Sequence, residues 1–302
     1  MITIKKRINN KKINNDDLVL DIETTGLDFN KDKLVLLGLV KKIKDKVYIF
    51  QYFAESDDEE IRLLEIYTRE VKNKRLVTYN GDIFDIGFLN SRLEQNLKFP
   101  LIIESSLDIY RVIKNKSKFF TYDSMRLMDI EKMIGINRED PSRYKVISKL
   151  SEDINKRTNP YPILKHNEND LIATALLVDI EQYYREKLSI KTDFGTLYLE
   201  NAIINKDIGN FIFYCDENIE DAYLVENNYQ LIIENNKIIL NLHVLYGSFD
   251  EENSGYVAIN TLNIPNNSSL DININLLIIY ENNIYAYKNL LNLCKKIIED
   301  LL

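Results

Sequence analysis

The segment LVLDIETTGLD, residues 18–28, sets two carboxylates one residue apart in an apolar run that otherwise reads as a buried β-strand. Residues i and i+2 of a strand share a face, so Asp21 and Glu23 project together. Two like charges on a mostly buried strand repel and lose hydration unless a cation or hydrogen-bond donors compensate them. A divalent cation is the natural compensation, because Mg²⁺ and Mn²⁺ take hard oxygen ligands, carboxylates together with water and phosphate oxygens. Read alone, the pair equally fits a strand that stops at Leu20 and two solvated loop acids.

The surrounding sequence predicts an α/β unit. Residues 16–22, 33–41 and 45–53 read as an opening set of three β-strands, rich in Val, Ile, Leu and aromatic residues. The stretch SDDEEIRLLEIYTREVKNK follows with Ser56 as a cap, acids in its first turn and Lys or Arg in its last, and predicts a helix with Ile61, Leu64, Ile66 and Val71 along one side. A short strand RLVTY leads into a helix over 82–96. Helical segments are then expected in SLDIYRVIKNK, in SMRLMDIEKMIGI, near residues 144–150, and at length within LKHNENDLIATALLVDIEQYYREKL. Strands, a helix, a strand and then helices form an α/β pattern.

Beyond about residue 190 the character changes to short apolar or alternating runs separated by Asn, Asp and Gly, closed by NLLNLCKKIIEDLL. The expected organisation is therefore an α/β domain over 1–190 and a smaller β-rich domain over 191–302. Charge divides the same way. Residues 1–190 carry 33 Lys/Arg against 31 Asp/Glu, whereas 191–302 carry 6 against 16, so the net −8 of the chain sits in its last third. The first two thirds are free to approach phosphates. Only Cys215 and Cys294 are present, far apart and with no CxxC pair, so neither a disulfide framework nor a thiolate zinc site is suggested and free thiols are expected. No apolar run reaches the length of a membrane span and no apolar segment follows the basic start, so a cytoplasmic, non-membrane protein is expected.

Two further segments bear on the acids. LVTYNGDIFDIGFL places Asp85 in the first turn of a helix after a strand, near Asn80 and Phe84, and LKHNENDLIATALL places His166 and Asp170 at i and i+4 on one helical face. Each alone has an ordinary explanation: an acid in a first turn suits the helix dipole, and a His before an apolar helix caps or covers it.

In that order, LDIETTGL, YNGDIFDIGFL and HNENDLIATALL resemble the three motifs of the DEDD, or DnaQ-like, 3′–5′ exonucleases of ribonuclease H-like fold. The chain resembles in particular the ribonuclease H-like YprB branch of predicted bacterial exonucleases, where SLDIYRVI, GINRED and KHNENDLIATALL also have counterparts. The proofreading domain of family B DNA polymerases shares the first two motifs in similar form. The likeness covers residues 15–185 and stops short of the C-terminal third. It implies a ribonuclease H-like mixed sheet flanked by helices, and four metal-binding acids at Asp21, Glu23, Asp85 and Asp170.

The same resemblance puts the residue that positions or activates the attacking water at His166. Here the chain departs from both patterns, since a Tyr stands four residues before the last Asp in one branch and a His five before it in the other. This chain has His at the Tyr-type spacing and Lys165 at the other position. The chemistry implied is two-metal hydrolysis, in which two divalent ions, Mg²⁺ or Mn²⁺, ~3.5–4 Å apart offset phosphate charge and stabilise the leaving oxygen. Imidazole suits proton acceptance near neutral pH.

The resemblance also implies contacts to a single-stranded end. Thr24 and Thr25 fall at the terminal nucleotide, Leu27 serves as an apolar wedge, Asn80 and Phe84 line the pocket, and Arg92 is the candidate for a phosphate contact. Against these stand turn, core and solvated-face roles for the same residues. The basic stretches KKRINNKK and RVIKNKSK are candidates to track a DNA or RNA backbone. His243 reads as a structural strand residue facing away from Leu242 and Val244. The acidic C-terminal region is expected to serve as an accessory domain, for contacts with a protein partner or for shielding the active-site side. The leading expectation is a metal-dependent 3′–5′ exonuclease releasing nucleoside 5′-monophosphates. A structure-specific endonuclease with the same metal site, or a silent nucleic-acid- or protein-binding module, are the alternatives; the presence of all four acids weighs against silence.

Overall fold

The structure, a computed structural model, describes residues 1–97, 99–135 and 147–301. Two compact units divide it: Met1–Lys114 with Asp123–Ile180, and Asn115–Tyr122 with Glu181–Leu302.

The first unit is built on a six-stranded mixed sheet. Its strands are β1 (Ile2–Ile8), β2 (Asp17–Thr24), β3 (Leu34–Ile43), β4 (Lys46–Phe53), β5 (Arg75–Thr78) and β6 (Ser106–Asp108), in the order β1-β4-β3-β2-β5-β6. β1 to β4 pair antiparallel, whereas β5 and β6 run parallel to β2. The helices are α1 (Glu60–Glu70), α2 (Asp85–Leu97), α3 (Ile109–Lys116), α4 (Leu127–Met133), α5 (Ile147–Lys156) and α6 (Pro160–Leu176).

The near-continuous apolar runs of β2 and β3 are explained by helices on both faces of the sheet. Leu18, Leu20 and Ile22 pack with Leu63, Leu64 and Tyr67 of α1 and Phe88, Leu89 and Leu93 of α2. On the other side Val35, Leu36 and Phe53 pack with Ile154 of α5 and Ile163 and Leu164 of α6. Because side chains alternate along a strand, Asp21 and Glu23 lie on the face opposite Leu20 and Ile22, toward α6.

Several expected elements are corrected. The basic N-terminal stretch forms β1, an edge strand that carries the lysines and arginine typical of a protected sheet edge. Ser106–Asp108, expected within a helix, is instead a three-residue parallel strand, too short for any periodicity to betray it. Ser56 makes no side-chain cap. The buried stripe of α1 is Glu60, Leu63, Leu64 and Tyr67, with Ile61 exposed. α2 starts at Asp85, three residues later than expected. Of the helix expected near residues 144–150, the portion before residue 147 lies outside the described residues, as does most of GINRED.

After α7 (Ile180–Lys187) the second unit is β-rich. Strands β7 (Ser189–Thr192), β8 (Gly195–Asn205), β9 (Ile208–Cys215), β10 (Ala222–Val225), β11 (Tyr229–Glu234) and β12 (Lys237–His243) form an antiparallel sheet in the order β10-β11-β12-β9-β8-β7. β13 (Leu245–Ser248), β14 (Ser254–Ile259), β15 (Leu276–Glu281) and β16 (Ile284–Tyr285) form a second, and α8 (Tyr287–Leu301) closes the chain. Phe211, Phe213, Leu240, Leu290, Cys294 and Ile298 share one core. Both cysteines are free and buried. His243 is exposed, opposite the buried Leu242 and Val244, with Asp207 3.7 Å away.

Candidate active site

The parallel pairing of β2 with β5 covers only Asp17 to Val19, so the carboxyl end of β2 runs on past its neighbour. Such ends of parallel strands are where α/β folds leave room for ligands. Asp21 and Glu23 stand there. The turn from β5 into α2 brings Asp85 to the same end, where its Oδ1 accepts the backbone N–H of Ile22 at 3.2 Å. Asp108, at the end of β6, fixes that turn by accepting the backbone N–H groups of Asn80 at 2.8 Å and Asp82 at 3.2 Å. Asn80 adopts a positive φ of 61°, which asparagine tolerates better than most residues. Gly81 is required beside it, since a Cβ there would stand 2.9 Å from Asp85 Oδ2.

α6 crosses the opposite side. Its Asn167 donates from Nδ2 to Asp21 Oδ2 at 2.6 Å, and one turn on, Asp170 Oδ2 lies 3.5 Å from His166 Nε2. Burial pushes the Asp21 carboxyl well above the usual range, and the charges of Asp170, Glu23 and Asp85 push it further; the Asn167 donor opposes them. Burial and then Asp170 and Asp85 raise Glu23 likewise. Asp85 is pushed up to about 7, chiefly by burial, against the lowering effect of the Ile22 N–H. The charges of Asp170 and Asp85 thus bear on both Asp21 and Glu23, which gathers the four acids into one cluster.

Glu23 is only 9% exposed and, among the described residues, its carboxylate makes no hydrogen bond or ion pair. Among the described residues no group of three or more His, Cys, Asp or Glu side chains stands where it could hold a metal ion. The donor set nevertheless suits a hard divalent cation: four carboxylates, no thiolate, and mutual repulsion that such a charge would relieve.

The expected substrate contacts divide. Leu27 is 79% exposed on the loop after β2, and Asn80 borders a cleft of about 500 Å³ shared with Tyr79, Tyr110 and Arg126. The Thr24 and Thr25 hydroxyls are engaged within their own loop, donating to Gly26 O at 2.6 Å and to Asp32 Oδ1 at 2.9 Å. Phe84 is half-buried in an aromatic group with Phe29 and Phe88, ring centroids 5.6 and 5.7 Å away, so it serves packing.

Arg92 is corrected outright. It is 1% exposed and gripped by Glu60, Nε to Oε1 at 2.7 Å and Nη2 to Oε2 at 2.6 Å, so it faces the core rather than a phosphate. The basic stretches are likewise partly spent on internal pairs. Lys6 meets Glu168 at 2.8 Å, Lys12 meets Asp179 at 2.7 Å, and Lys118 bonds Asn201 and the Ala202 carbonyl. Sequence reasoning missed Asn167, Gln51, Asp108 and Glu60. HNENDL displayed Asn167 beside His166, but only the fold reveals what it touches.

A family profile described as the RNase_H superfamily matches residues 18–182. The DNA polymerase III PolC-type of Ureaplasma parvum serovar 3 is 25% identical over 271 residues, spanning 78% of this chain and 18% of that protein. Among solved structures, E. coli exonuclease I in complex with a dT13 oligonucleotide is similar at 13% identity and a TM-score of 0.38, over 72% of this chain and 54% of that one. The zinc-bound form of the E. coli exonuclease I complex with single-stranded DNA is similar at 12% identity and a TM-score of 0.36, over 66% and 54%. The chain thus spans a fifth to about half the length of these relatives. Among the described residues no helix is long and apolar enough to cross a membrane.

Proposed function

The chain belongs to the RNase_H superfamily, and we propose that it is a metal-dependent 3′–5′ exonuclease acting on single-stranded DNA or RNA and releasing nucleoside 5′-monophosphates. One observation carries the reading: four carboxylates from β2, α2 and α6 gather at the open end of β2, where burial and the charges of their neighbours raise Asp21 and Glu23 well above the usual carboxylate range. Charge of that density is maintained for a ligand that neutralises it.

Asp21, Glu23, Asp85 and Asp170 would hold divalent cations, Mg²⁺ or Mn²⁺. When bound, these would offset the charge of the scissile phosphate and of the leaving 3′-oxygen. The remaining work falls to the chain. Asp85, tied to the Ile22 N–H, keeps α2 registered on β2 and so keeps the acids together. His166, 3.5 Å from Asp170, is the candidate to take the proton of the attacking water on its imidazole. Leu27 offers an exposed apolar edge to the terminal base. The accessory role of the β-rich unit, including a protein partner, belongs to the same proposal, as do a cytoplasmic setting and a domain division near residue 190.

Circular and linear single-stranded DNA, incubated in parallel with protein and Mn²⁺, test whether attack requires an end. An exonuclease degrades the linear strand to mononucleotides and spares the circle. Internal cutting of the circle would replace the proposal with an endonuclease, and two intact substrates would favour a binding module.

A further inference from the structure

Asp21 on β2, Gly38 on β3 and Gln51 on β4 are paired in register across three neighbouring strands. The amide of Asn167 on α6 lies over the middle one. A Cβ on residue 38 would stand 2.3 Å from Asn167 Oδ1 and 2.7 Å from its Nδ2, so glycine alone leaves that space. Gln51 and Asn167 are both wholly buried, at 1% and 0% exposure.

The direction of the two amides follows from their partners. Leu164 O can only accept, so the Gln51 group 2.7 Å from it is the NH₂. The same Nε2 lies 2.8 Å from Asn167, which therefore turns its Oδ1 toward Gln51. The Asn167 NH₂ is left facing Asp21, where it donates to Oδ2 at 2.6 Å and to the main-chain carbonyl at 3.3 Å. A carboxylate on a short side chain rotates freely in water; here one oxygen is held by a donor with no freedom of its own.

We infer that Asn167, oriented by Gln51 through the space above Gly38, is a positioning residue that fixes the Asp21 carboxylate for cation binding. The inference rests on the proposed metal-dependent reading. Groups that orient a metal ligand typically set affinity or activity by about 10–100-fold. Both residues are wholly buried, so strand binding should not change.

The test measures Mn²⁺ affinity by calorimetry on wild type, Asn167→Leu, Gln51→Leu, the double variant and Asp21→Asn, each first melted in EDTA to establish its fold. Asn167→Leu is expected to weaken Mn²⁺ binding about 10–100-fold. Gln51→Leu is expected to weaken it less, and to add nothing in the Asn167→Leu background, because the two act in series. Hydrolysis should fall in kcat with the oligonucleotide KM unchanged, and recover when Mn²⁺ is raised. Wild-type Mn²⁺ affinity in folded Asn167→Leu, with Asp21→Asn losing it, would overturn the inference and leave the metal site standing. Wild-type affinity in Asp21→Asn would instead overturn the metal site and the inference with it. Should Asn167→Leu fail to fold, Gln51→Leu decides: unaltered affinity there overturns the inference.

Discussion

Asp85, the first residue of α2, accepts on its Oδ1 the backbone N–H of Ile22, a strand residue 63 positions earlier and beyond the reach of β5. The bond joins the second acidic motif to the first, and it holds a carboxylate where burial keeps its pKa near 7. In the unfolded chain the same group ionises near ~4. Between those values the folded protein carries a proton that the unfolded chain has shed, so stability falls as pH rises, by on the order of 4 kcal/mol for this group. Asp21 and Glu23 act with the same sign. Acids of lowered pKa, such as Glu168, contribute fully above pH ~5 and leave that window flat. Melting in EDTA from pH 5 to 8 should therefore show a falling midpoint, flattened in Asp85→Asn and restored in wild type by Mn²⁺. A midpoint that rises with pH in EDTA contradicts the burial of these acids.

Arg92→Ala leaves Glu60 buried without its main partner, with the Leu34 N–H at 2.9 Å and Lys33 at 3.7 Å remaining among the described residues. Breaking one side of a buried pair costs about 3–5 kcal/mol. Urea denaturation should show that loss, while the folded fraction binds single-stranded oligonucleotide with unchanged affinity and salt dependence. Wild-type stability with weakened strand binding would restore Arg92 to a phosphate contact.

Leu27→Ala should behave in the opposite way. An exposed side chain contributes within about 0.5 kcal/mol to stability. Lost contact with the terminal base raises the oligonucleotide KM about tenfold. Steady-state hydrolysis alongside a melting curve separates the two, and an unchanged KM removes Leu27 from the substrate contacts.

In the β-rich unit, Gly255 tests a backbone contact. A Cβ there would stand 1.9 Å from the Tyr280 carbonyl oxygen, an atom fixed by the β14–β15 pairing. Gly255→Ala should therefore destabilise the protein by about 1–3 kcal/mol. A wild-type denaturation curve would contradict that packing.

How much of this was legible beforehand depends on sequence distance. Asp21 and Glu23 announce themselves because acids at a period of two inside LVL and I are costly, and an α/β order follows from the strand and helix periods around them, while the ribonuclease H-like fold is implied only by the resemblance of the three motifs. His166 and Asp170 are readable from i,i+4 spacing. What was not readable is pairing across the fold. Gln51 and Asn167 are 116 residues apart, and Glu60 and Arg92 are 32 apart. A buried Arg and a solvated Arg look alike on a helix until the neighbouring element is placed. β1 was hidden by its charges, which are the mark of an edge strand rather than of a tail.

The most direct measurement is digestion of 5′-labelled single-stranded DNA and RNA with Mn²⁺, comparing wild type with Asp21→Asn at matched folded concentration. We expect a ladder that shortens from the 3′ end in wild type, vanishes with EDTA and is absent from the variant. Intact substrate with folded, Mn²⁺-supplied wild type, or the same ladder from Asp21→Asn, would contradict a metal-dependent exonuclease built on these four acids.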